Sequence, residues 1–426
     1  MSNKVSVEAK ELFDKYPEII KNHLSELFES ILDNLYLDNI VSILFIGSGS
    51  RNELSYNIQE KDIDIFSDYE FVIIVNKMLS QKEFDKLNKI FRSLEEKWDI
   101  KSPLFYIDYG VSTLSKFKLT PPTLWAYEAK NLGVIVYGRD VRQDLVDVVL
   151  SNLDYGNLNE LIIVRLWNML VHMNNVFIKK ENNKYEDFII KFYYSRNILD
   201  ILTILLPNYS ILKAGYRNRT KYFVEKFNNQ KWNSYKKDFE RITNLKIDLV
   251  DDISLEESQN IFNDGFINLI ADISSLNNVK SIEDLEKNRN IIIKNKIFKE
   301  KTIRTLRRKV IELKLFKNYY RYDLKSIELF MNDEIRMNLL FLLLLIHKSM
   351  HLSLPNDEKI KYLKKAIDYF NKISYQNKYN YSYDISFEDN FISLREKLLD
   401  FMMIWFYGRS NVQKKDIEKH MKWRDK

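Results

Sequence analysis

Short apolar runs recur within the first 140 residues. Four of them are rich in β-branched and aromatic side chains and are bounded by glycine, proline or polar clusters. Runs of this length between turn residues are typical of buried strands. The third run begins after Pro103 and ends before Gly110. We therefore predict strands over 41–46, 70–76, 104–108 and 134–137.

Apolar residues at spacings of three and four dominate elsewhere. Residues 7–37 show this spacing with an interruption near Pro17, and residues 80–98 show it again. Only four of the nine glycines and two of the six prolines lie beyond residue 140. Such patterns are typical of helices, which we predict over 158–179, 186–205, 217–228, 256–274, 302–315, 325–352, 358–373 and 388–407. The run Leu339–Ile346 is apolar on all sides and predicts a buried central helix.

Strands confined to the first third and helices beyond it predict an α+β protein. A chain of 426 residues exceeds one ordinary hydrophobic core, so several domains are expected. Residues 1–140 form the mixed part, and the polar stretch 276–290 suggests a boundary within the helical part. We predict domains over 1–140, 141–280 and 281–426.

Composition favours a water-soluble globular protein. Apolar residues make up 45% and charged residues 30% of the chain. The longest apolar run has eight residues, whereas a membrane span needs about 18. No secretory signal pattern opens the sequence, and the absence of cysteine excludes disulfides and thiolate zinc sites. We expect a cytoplasmic location and no membrane partner.

Charge is distributed unevenly. Residues 1–140 contain 17 Lys and Arg against 22 Asp and Glu, a net charge of −5, and the remainder contains 49 against 38, a net charge of +11. A basic region of this kind permits a nucleic-acid partner. A lysine-rich composition spread over many helices explains the same bias.

A glycine-serine turn over 47–50 is followed by two acids, Asp68 and Glu70, at the start of a predicted strand. Side chains alternate along a strand, so these two carboxylates point the same way. Carboxylates side by side repel each other, and a divalent cation relieves that repulsion. A metal beside a turn rich in backbone N–H groups suits the phosphates of a nucleotide.

With Ile46-Gly47-Ser48, the pair Asp68 and Glu70, and Asp108 near the end of a later apolar run, the chain resembles the nucleotidyltransferase superfamily. This superfamily includes DNA polymerase β and, closest in texture, the small antibiotic-modifying enzymes. Residues 127–138 also resemble their closing segment. The resemblance implies a polymerase-β-like catalytic domain over 1–140, a helical domain over 141–280 that packs on the active-site cleft, and a C-terminal helical domain over 281–426.

The resemblance also implies the residues of the site. Two Mg²⁺ ions are expected, with the catalytic and metal-binding roles carried by Asp68, Glu70 and Asp108. Arg51 occupies a position where many members carry arginine and would neutralise the leaving pyrophosphate. From the helical part, two cations are candidates for the triphosphate, although a cationic helix edge is the alternative for them. The predicted nucleotide-binding residues are Gly47, Ser48, Gly49, Ser50, Arg51, Lys191 and Arg196.

The sequence departs from the family pattern in the spacer between Ser48 and Asp68, which is longer than usual. An inserted loop over residues 55–64 accounts for the extra length, and it carries a second acid-x-acid pair at Asp62 and Asp64. We prefer Asp68 with Glu70 as the metal pair because an apolar strand follows them directly. The other pair remains the alternative.

His347 and His351 lie four residues apart on a predicted helix. That spacing suits zinc, but no glutamate follows His347 as it does in zinc proteases. A structural role for both is the alternative that we favour.

These features predict transfer of a nucleoside monophosphate from an NTP, with ATP as the first expectation, to a hydroxyl of an antibiotic-like or sugar-like molecule. A second hypothesis keeps the reaction but makes tRNA, a protein or a second nucleotide the acceptor. A third is a non-catalytic helical scaffold.

Overall fold

The computed structural model of the protein describes residues 4–59, 62–173, 175–181, 183–295, 334–373 and 379–407. Strands in this part of the chain all precede residue 139. They are β1 (Ile40–Ile46), β2 (Tyr56–Gln59), β3 (Asp62–Ile65), β4 (Tyr69–Val75), β5 (Ile107–Thr113) and β6 (Val134–Gly138).

Helices flank the strands and make up the rest of the described structure. They are α1 (Val7–Phe13), α2 (Glu18–Asn34), α3 (Gly47–Ser50), α4 (Gln81–Trp98), α5 (Leu114–Lys118), α6 (Leu124–Leu132), α7 (Tyr155–His172), α8 (Asn175–Ile178), α9 (Lys184–Asn208), α10 (Tyr216–Glu225), α11 (Lys236–Asp248), α12 (Leu255–Ile273), α13 (Ile282–Lys287), α14 (Arg289–Ile292), α15 (Glu334–Ser349), α16 (Asn356–Ile373) and α17 (Phe387–Tyr407). Single 3₁₀ turns cover Leu37–Asn39, Arg142–Asp144 and Asn233–Tyr235.

The main sheet is mixed and has the strand order β5-β4-β1-β6. β4 and β5 are parallel, whereas β1 is antiparallel to both β4 and β6. β2 and β3 form a separate antiparallel hairpin. A four-stranded mixed sheet followed by a large helical region makes this an α+β protein, as the sequence predicts.

Alternating side chains along the strands divide the core between the two faces of the sheet. On one face Phe45 and Phe71 pack with Phe28 of α2, and their rings meet edge to face. On the other face, Val72 and its strand neighbours belong to a smaller core that includes Phe117 of α5. Both faces of the sheet are therefore covered, so a binding site is expected at the strand ends.

Local signals set most element ends. Pro17 precedes the first residue of α2, as the interruption near Pro17 predicts. Ser80 accepts from the Glu83 amide while the Glu83 carboxylate accepts from the Ser80 amide, which starts α4. One boundary is wrong: β5 runs through Gly110 to Thr113, because it pairs along the whole of β4.

Several elements were missed by the periodicity, among them the short helices α5, α6, α13 and α14. The segment predicted as an inserted loop over 55–64 contains the β2–β3 hairpin, in which Ile63 and Ile65 are buried. The polar, lysine-rich helix α11 was also not predicted, although its apolar positions Phe239 and Ile242 are fully buried.

Contacts between residues divide the chain into two compact units. The first comprises Met1–Asp154 with Tyr209–Val250, and the second comprises Tyr155–Asn208 with Asp251–Lys426. The chain thus leaves the first unit, returns to it and leaves again. In this division helices α10 and α11 belong with the sheet. The three predicted domain ranges remain a prediction.

In the second unit, the apolar run Leu339–Ile346 of α15 is buried at every position, as predicted. The predicted helix 302–315 and the first part of 325–352 lie outside the described residues. Within the described part of the chain, no helix has the length and apolar content needed to cross a membrane.

Candidate active site

The structure brings Glu70 and Asp108 together across neighbouring strands. In the parallel pairing of β4 with β5, Glu70 is the direct partner of Asp108. Paired residues of adjacent strands project from the same face of a sheet. Asp68 lies two residues before Glu70, just ahead of β4, so alternation directs it to that face as well. All three acids lie where β4 and β5 begin.

The glycine-serine turn lies against the same strand end. It forms the single helical turn α3 directly after β1, whose last residue Ile46 pairs with Glu70. Gly47 has a φ of +70°, and a Cβ built on it would lie 2.6 Å from Glu70 Oε2. Only glycine permits this close approach in this backbone conformation. The carboxylate of Glu70 therefore packs directly against the turn.

The two serines of the turn differ in their hydrogen bonds. Ser50 Oγ donates to the carbonyl of Gly47 at 3.1 Å. Ser48 Oγ is buried and has no hydrogen-bond partner among the described residues. A buried hydroxyl without a partner is costly, so Ser48 has the capacity to bind a ligand atom.

Gly49 is required for packing within the core. A Cβ on Gly49 would lie 2.2 Å from the ring of Phe45, so the ring occupies the space of a side chain. The carbonyl of Gly49 accepts a hydrogen bond from the Tyr16 hydroxyl at 2.6 Å. The sequence-based expectation of phosphate contact at Gly49 stays a prediction, and packing accounts for the glycine.

Arg51 contacts carboxylates of its own chain. Its Nε lies 2.8 Å from Glu53, and its Nη1 lies 3.0 Å from Glu128. The guanidinium also lies over the ring of Tyr216, 5.5 Å from the centroid. Burial acts to lower the pKa of Arg51, but Glu128 and Glu53 outweigh this and raise it. The predicted role in neutralising pyrophosphate stays a prediction, and it competes with these partners.

A second arginine completes this buried group. Arg219, which is 4% exposed, forms an ion pair with Glu128, whose other oxygen binds Arg51. Burial acts to raise the pKa of Glu128, but Arg219 and Arg51 more than offset it, so the pKa lies below its usual value. Two arginines and two carboxylates thus balance each other. Sequence patterns do not identify Glu53, Glu128 and Arg219 as one group, because they are far apart along the chain.

Lys191 and Arg196 lie on α9 in the second unit. Lys191 Nζ contacts both oxygens of Asp251, at 2.5 and 2.6 Å, and the carbonyl of Ile253. Burial first, and then the charge of Arg196, lower the pKa of His172. Contact of either cation with a triphosphate stays a prediction.

The competing acid pair lies on the hairpin. Asp62 and Asp64 belong to β3, which pairs with β2 and not with the four-stranded sheet. Asp64 Oδ1 is buried without a hydrogen-bond partner among the described residues. In the four-stranded sheet, the position paired with Asp108 belongs to Glu70. The strand pairing therefore favours Asp68 with Glu70.

The donor chemistry at the strand ends suits a hard cation, because carboxylate oxygens are the ligands that Mg²⁺ prefers. As the side chains stand, however, no group of three or more His, Asp or Glu residues in the described ranges is close enough to hold a metal ion. The backbone thus pairs Glu70 with Asp108 and places Asp68 two residues ahead of Glu70, without gathering the three carboxylates. Binding of two Mg²⁺ ions stays a prediction.

The two histidines of α15 have structural partners. His347 Nε2 lies 2.6 Å from the carbonyl of Leu166, and His351 Nε2 lies 2.8 Å from Asn260 Oδ1. Burial lowers the pKa of each histidine to about 4. These contacts favour the structural role over a zinc site.

Few known proteins are similar to this chain. No protein-family model matches the sequence, and no curated protein is significantly similar to it. Among solved structures, the chain is similar to spectinomycin adenyltransferase AAD(9) from Enterococcus faecialis, crystallised with ATP and spectinomycin. Identity is 15% over 57% of this chain and 98% of that chain, with a TM-score of 0.35. Similarity this low supports no inference about activity.

Proposed function

We propose that this protein is a Mg²⁺-dependent nucleotidyltransferase that moves a nucleoside monophosphate from an NTP to a hydroxyl of a small molecule. The observation that carries the proposal is the register that pairs Glu70 with Asp108. Beside them, Gly47 permits the turn to approach Glu70 within contact distance. This reaction requires carboxylates that can hold a metal ion and a turn that offers backbone N–H groups to phosphate oxygens.

The reaction replaces a phosphoanhydride bond of the NTP with a phosphoester bond to the acceptor. The acceptor oxygen forms a bond to the α-phosphorus, the bond from that phosphorus to the bridging oxygen breaks, and pyrophosphate leaves. We assign Asp108 to accept the hydroxyl proton, because Asp108 is paired with Glu70 on the adjacent strand. Catalysis of this kind depends mainly on alignment and on offsetting charge.

We assign the remaining roles from position. Asp68, Glu70 and Asp108 would hold Mg²⁺, which when bound supplies positive charge to the phosphate oxygens. The Ser48 hydroxyl, for which the described part of the chain offers no hydrogen-bond partner, would donate to a phosphate oxygen, together with backbone N–H groups of the turn. ATP is the first expectation for the NTP.

A label-transfer assay tests the proposal. The protein is incubated with Mg²⁺, each α-³²P-labelled NTP and a panel of aminoglycosides, lincosamides and sugars. We expect labelled acceptor and unlabelled pyrophosphate, and no transfer of label from γ-³²P-ATP, which separates nucleotidyl from phosphoryl transfer. NTP binding without transfer to any acceptor in the panel would count against a small-molecule acceptor.

A nucleic-acid acceptor is the second candidate, favoured by the net charge of +11 over residues 141–426. Binding of tRNA should then weaken at least tenfold as salt rises from about 50 to about 200 mM, because released counterions drive such binding. Binding that does not respond to salt would exclude this candidate.

A further inference from the structure

The turn and the acids are joined by residues 51–67, here called the connecting segment. It begins directly after the turn and ends at Ser67, directly before Asp68. Its middle is the β2–β3 hairpin, whose neck is closed by the Phe66 amide, which donates to the carbonyl of Ser55 at 2.8 Å. The conformation of this segment therefore affects the distance between the turn and the acids.

Residues 209–250, here called the brace, hold the start of the connecting segment. The Glu53 carboxylate accepts from the amides of Tyr216 and Arg217, at 3.2 and 2.9 Å, at the first turn of α10. The first amides of an α-helix have no acceptor one turn earlier, and a carboxylate at that end is favoured by the helix dipole. Glu128 likewise accepts from the amide of Gly215 at 3.1 Å.

The end of the connecting segment is held by Lys246 of α11. Lys246 is 5% exposed, and its Nζ lies 2.9 Å from Ser55 Oγ and 3.3 Å from Ser67 Oγ. Ser55 Oγ also donates to the carbonyl of Lys246. Lysine side chains are rarely buried to this extent unless the amino group has hydrogen-bond or ionic partners. Here one of those partners is Ser67, the residue that directly precedes Asp68.

Both anchors lie at the same end of the α10–α11 pair. Arg217 and Asp248 join the first turn of α10 to the last turn of α11 at 2.7 Å. The two helices are also linked by a buried hydroxyl pair, Thr220 with Thr243 at 2.7 Å. The brace therefore contacts the two ends of the connecting segment as one body.

We infer that the brace sets the spacing between the glycine-serine turn and the acids, with Glu53 and Lys246 as positioning residues. Neither residue touches the reacting groups in this scheme. Their effect on catalysis rests on the proposed function, but their effect on the order of the site does not. The two effects therefore need separate measurements.

Hydrogen exchange measures the order of the site without any substrate. Lys246→Met should accelerate exchange about tenfold at the amides of residues 66–70, and Glu53→Gln should do so at residues 47–51, with α2 unchanged in both. Lys221→Met is the matched control, because Lys221 is exposed in the middle of α10. Ser55→Ala is a milder variant that removes the contact of Lys246 with the Ser55 hydroxyl and keeps both the lysine and its contact with Ser67.

Local acceleration in the variants but not in the control supports the brace. Uniform acceleration across α2 and the sheet would overturn this inference, because these residues would then stabilise the whole core and not the site. No acceleration in either Ser55→Ala or Lys246→Met would also overturn it, because the contacts of Lys246 would then not order residues 66–70. This outcome does not depend on activity.

Kinetics test the positioning role. Where the wild-type protein transfers label, Lys246→Met should lower kcat about tenfold with the KM for NTP changed less than about threefold, because misalignment affects the reaction more than binding. An unchanged kcat overturns the positioning role. A wild-type protein without any transfer would refute the proposed function, and the exchange measurements would still decide on the brace.

Discussion

At the scale of single residues, the acids and the turn have different structural origins. Asp68 lies two residues before Glu70 in the sequence, whereas Asp108, 38 residues after Glu70, meets it through strand pairing. Gly47 is needed because the carboxylate of Glu70 occupies the space of a Cβ. The site is thus assembled from adjacent strand ends and one turn.

Asp68→Asn tests the role of the acid pair. We expect the rate of label transfer to fall about a hundredfold or more, because a neutral amide offsets less of the positive charge of a metal ion. The melting temperature should change little, since Asp68 lies ahead of β4 and is partly exposed. Asp64→Asn is the matched comparison, and a larger loss of activity there would transfer the role to the hairpin pair.

Gly47→Ala tests the close approach of the turn. We expect a loss of about 2 kcal/mol in the free energy of unfolding, because alanine is strained at φ +70° and its Cβ would meet Glu70. Gly110→Ala is the control, since its Cβ would lie 3.9 Å from Val72 at an exposed position. Urea denaturation of both variants measures the difference. Equal stabilities would contradict the packing of Glu70 against the turn.

At the scale of elements, the hairpin that lengthens the spacer is part of the core. Ile65 of β3 is fully buried and belongs to the main core cluster. An insertion of this kind differs from a surface loop, because its removal would expose the helices and strands that it covers. The helix α11 likewise has one buried side, which includes Phe239, Ile242 and Leu245.

Ile65→Ala measures how much the hairpin contributes. We expect a loss of about 2–5 kcal/mol in the free energy of unfolding, the usual cost of truncating a buried isoleucine. Ile58→Ala on β2 is the matched control, because Ile58 is 40% exposed and should lose less than about 1 kcal/mol. Chemical denaturation gives both values. Similar small losses would show that the hairpin is dispensable.

At the scale of the whole molecule, two compact units share one chain that crosses between them three times. Each unit buries histidines: His23 in the first, and His347 and His351 in the second. Burial lowers the pKa of all three to about 4. Stability should therefore depend on pH.

Acidification should destabilise the protein between about pH 6.5 and pH 4. The folded state keeps these histidines neutral, whereas the unfolded chain takes up protons below its ordinary pKa of about 6.5, so the free energy of unfolding falls as pH falls. A pKa of about 4 at His347 corresponds to a loss of roughly 3 kcal/mol below pH 4.

His347→Gln checks this effect. Glutamine keeps a donor for the carbonyl of Leu166 but does not titrate, so the variant should lose less stability than the wild type between pH 6.5 and pH 4. Denaturation at several pH values gives the two slopes. Identical slopes would show that His347 contributes nothing to the acid sensitivity.

Local patterns in the sequence determined the elements. Apolar runs between turn residues located four strands, and the spacing of apolar residues located most helices, because burial follows the geometry of each element. The prediction that Asp68 and Glu70 share a face also rests on alternation alone. These properties depend on neighbours a few residues away, so they could be read from the chain.

Only the tertiary structure decided what meets across the chain. The pairing of Glu70 with Asp108 depends on strand register, and the partners of Arg51 and Glu53 lie 77 and 164 residues away, at Glu128 and Arg217. The return of residues 209–250 to the first unit has no periodic signal. Contacts between distant segments are fixed by the packing of the whole fold, and no local spacing records them.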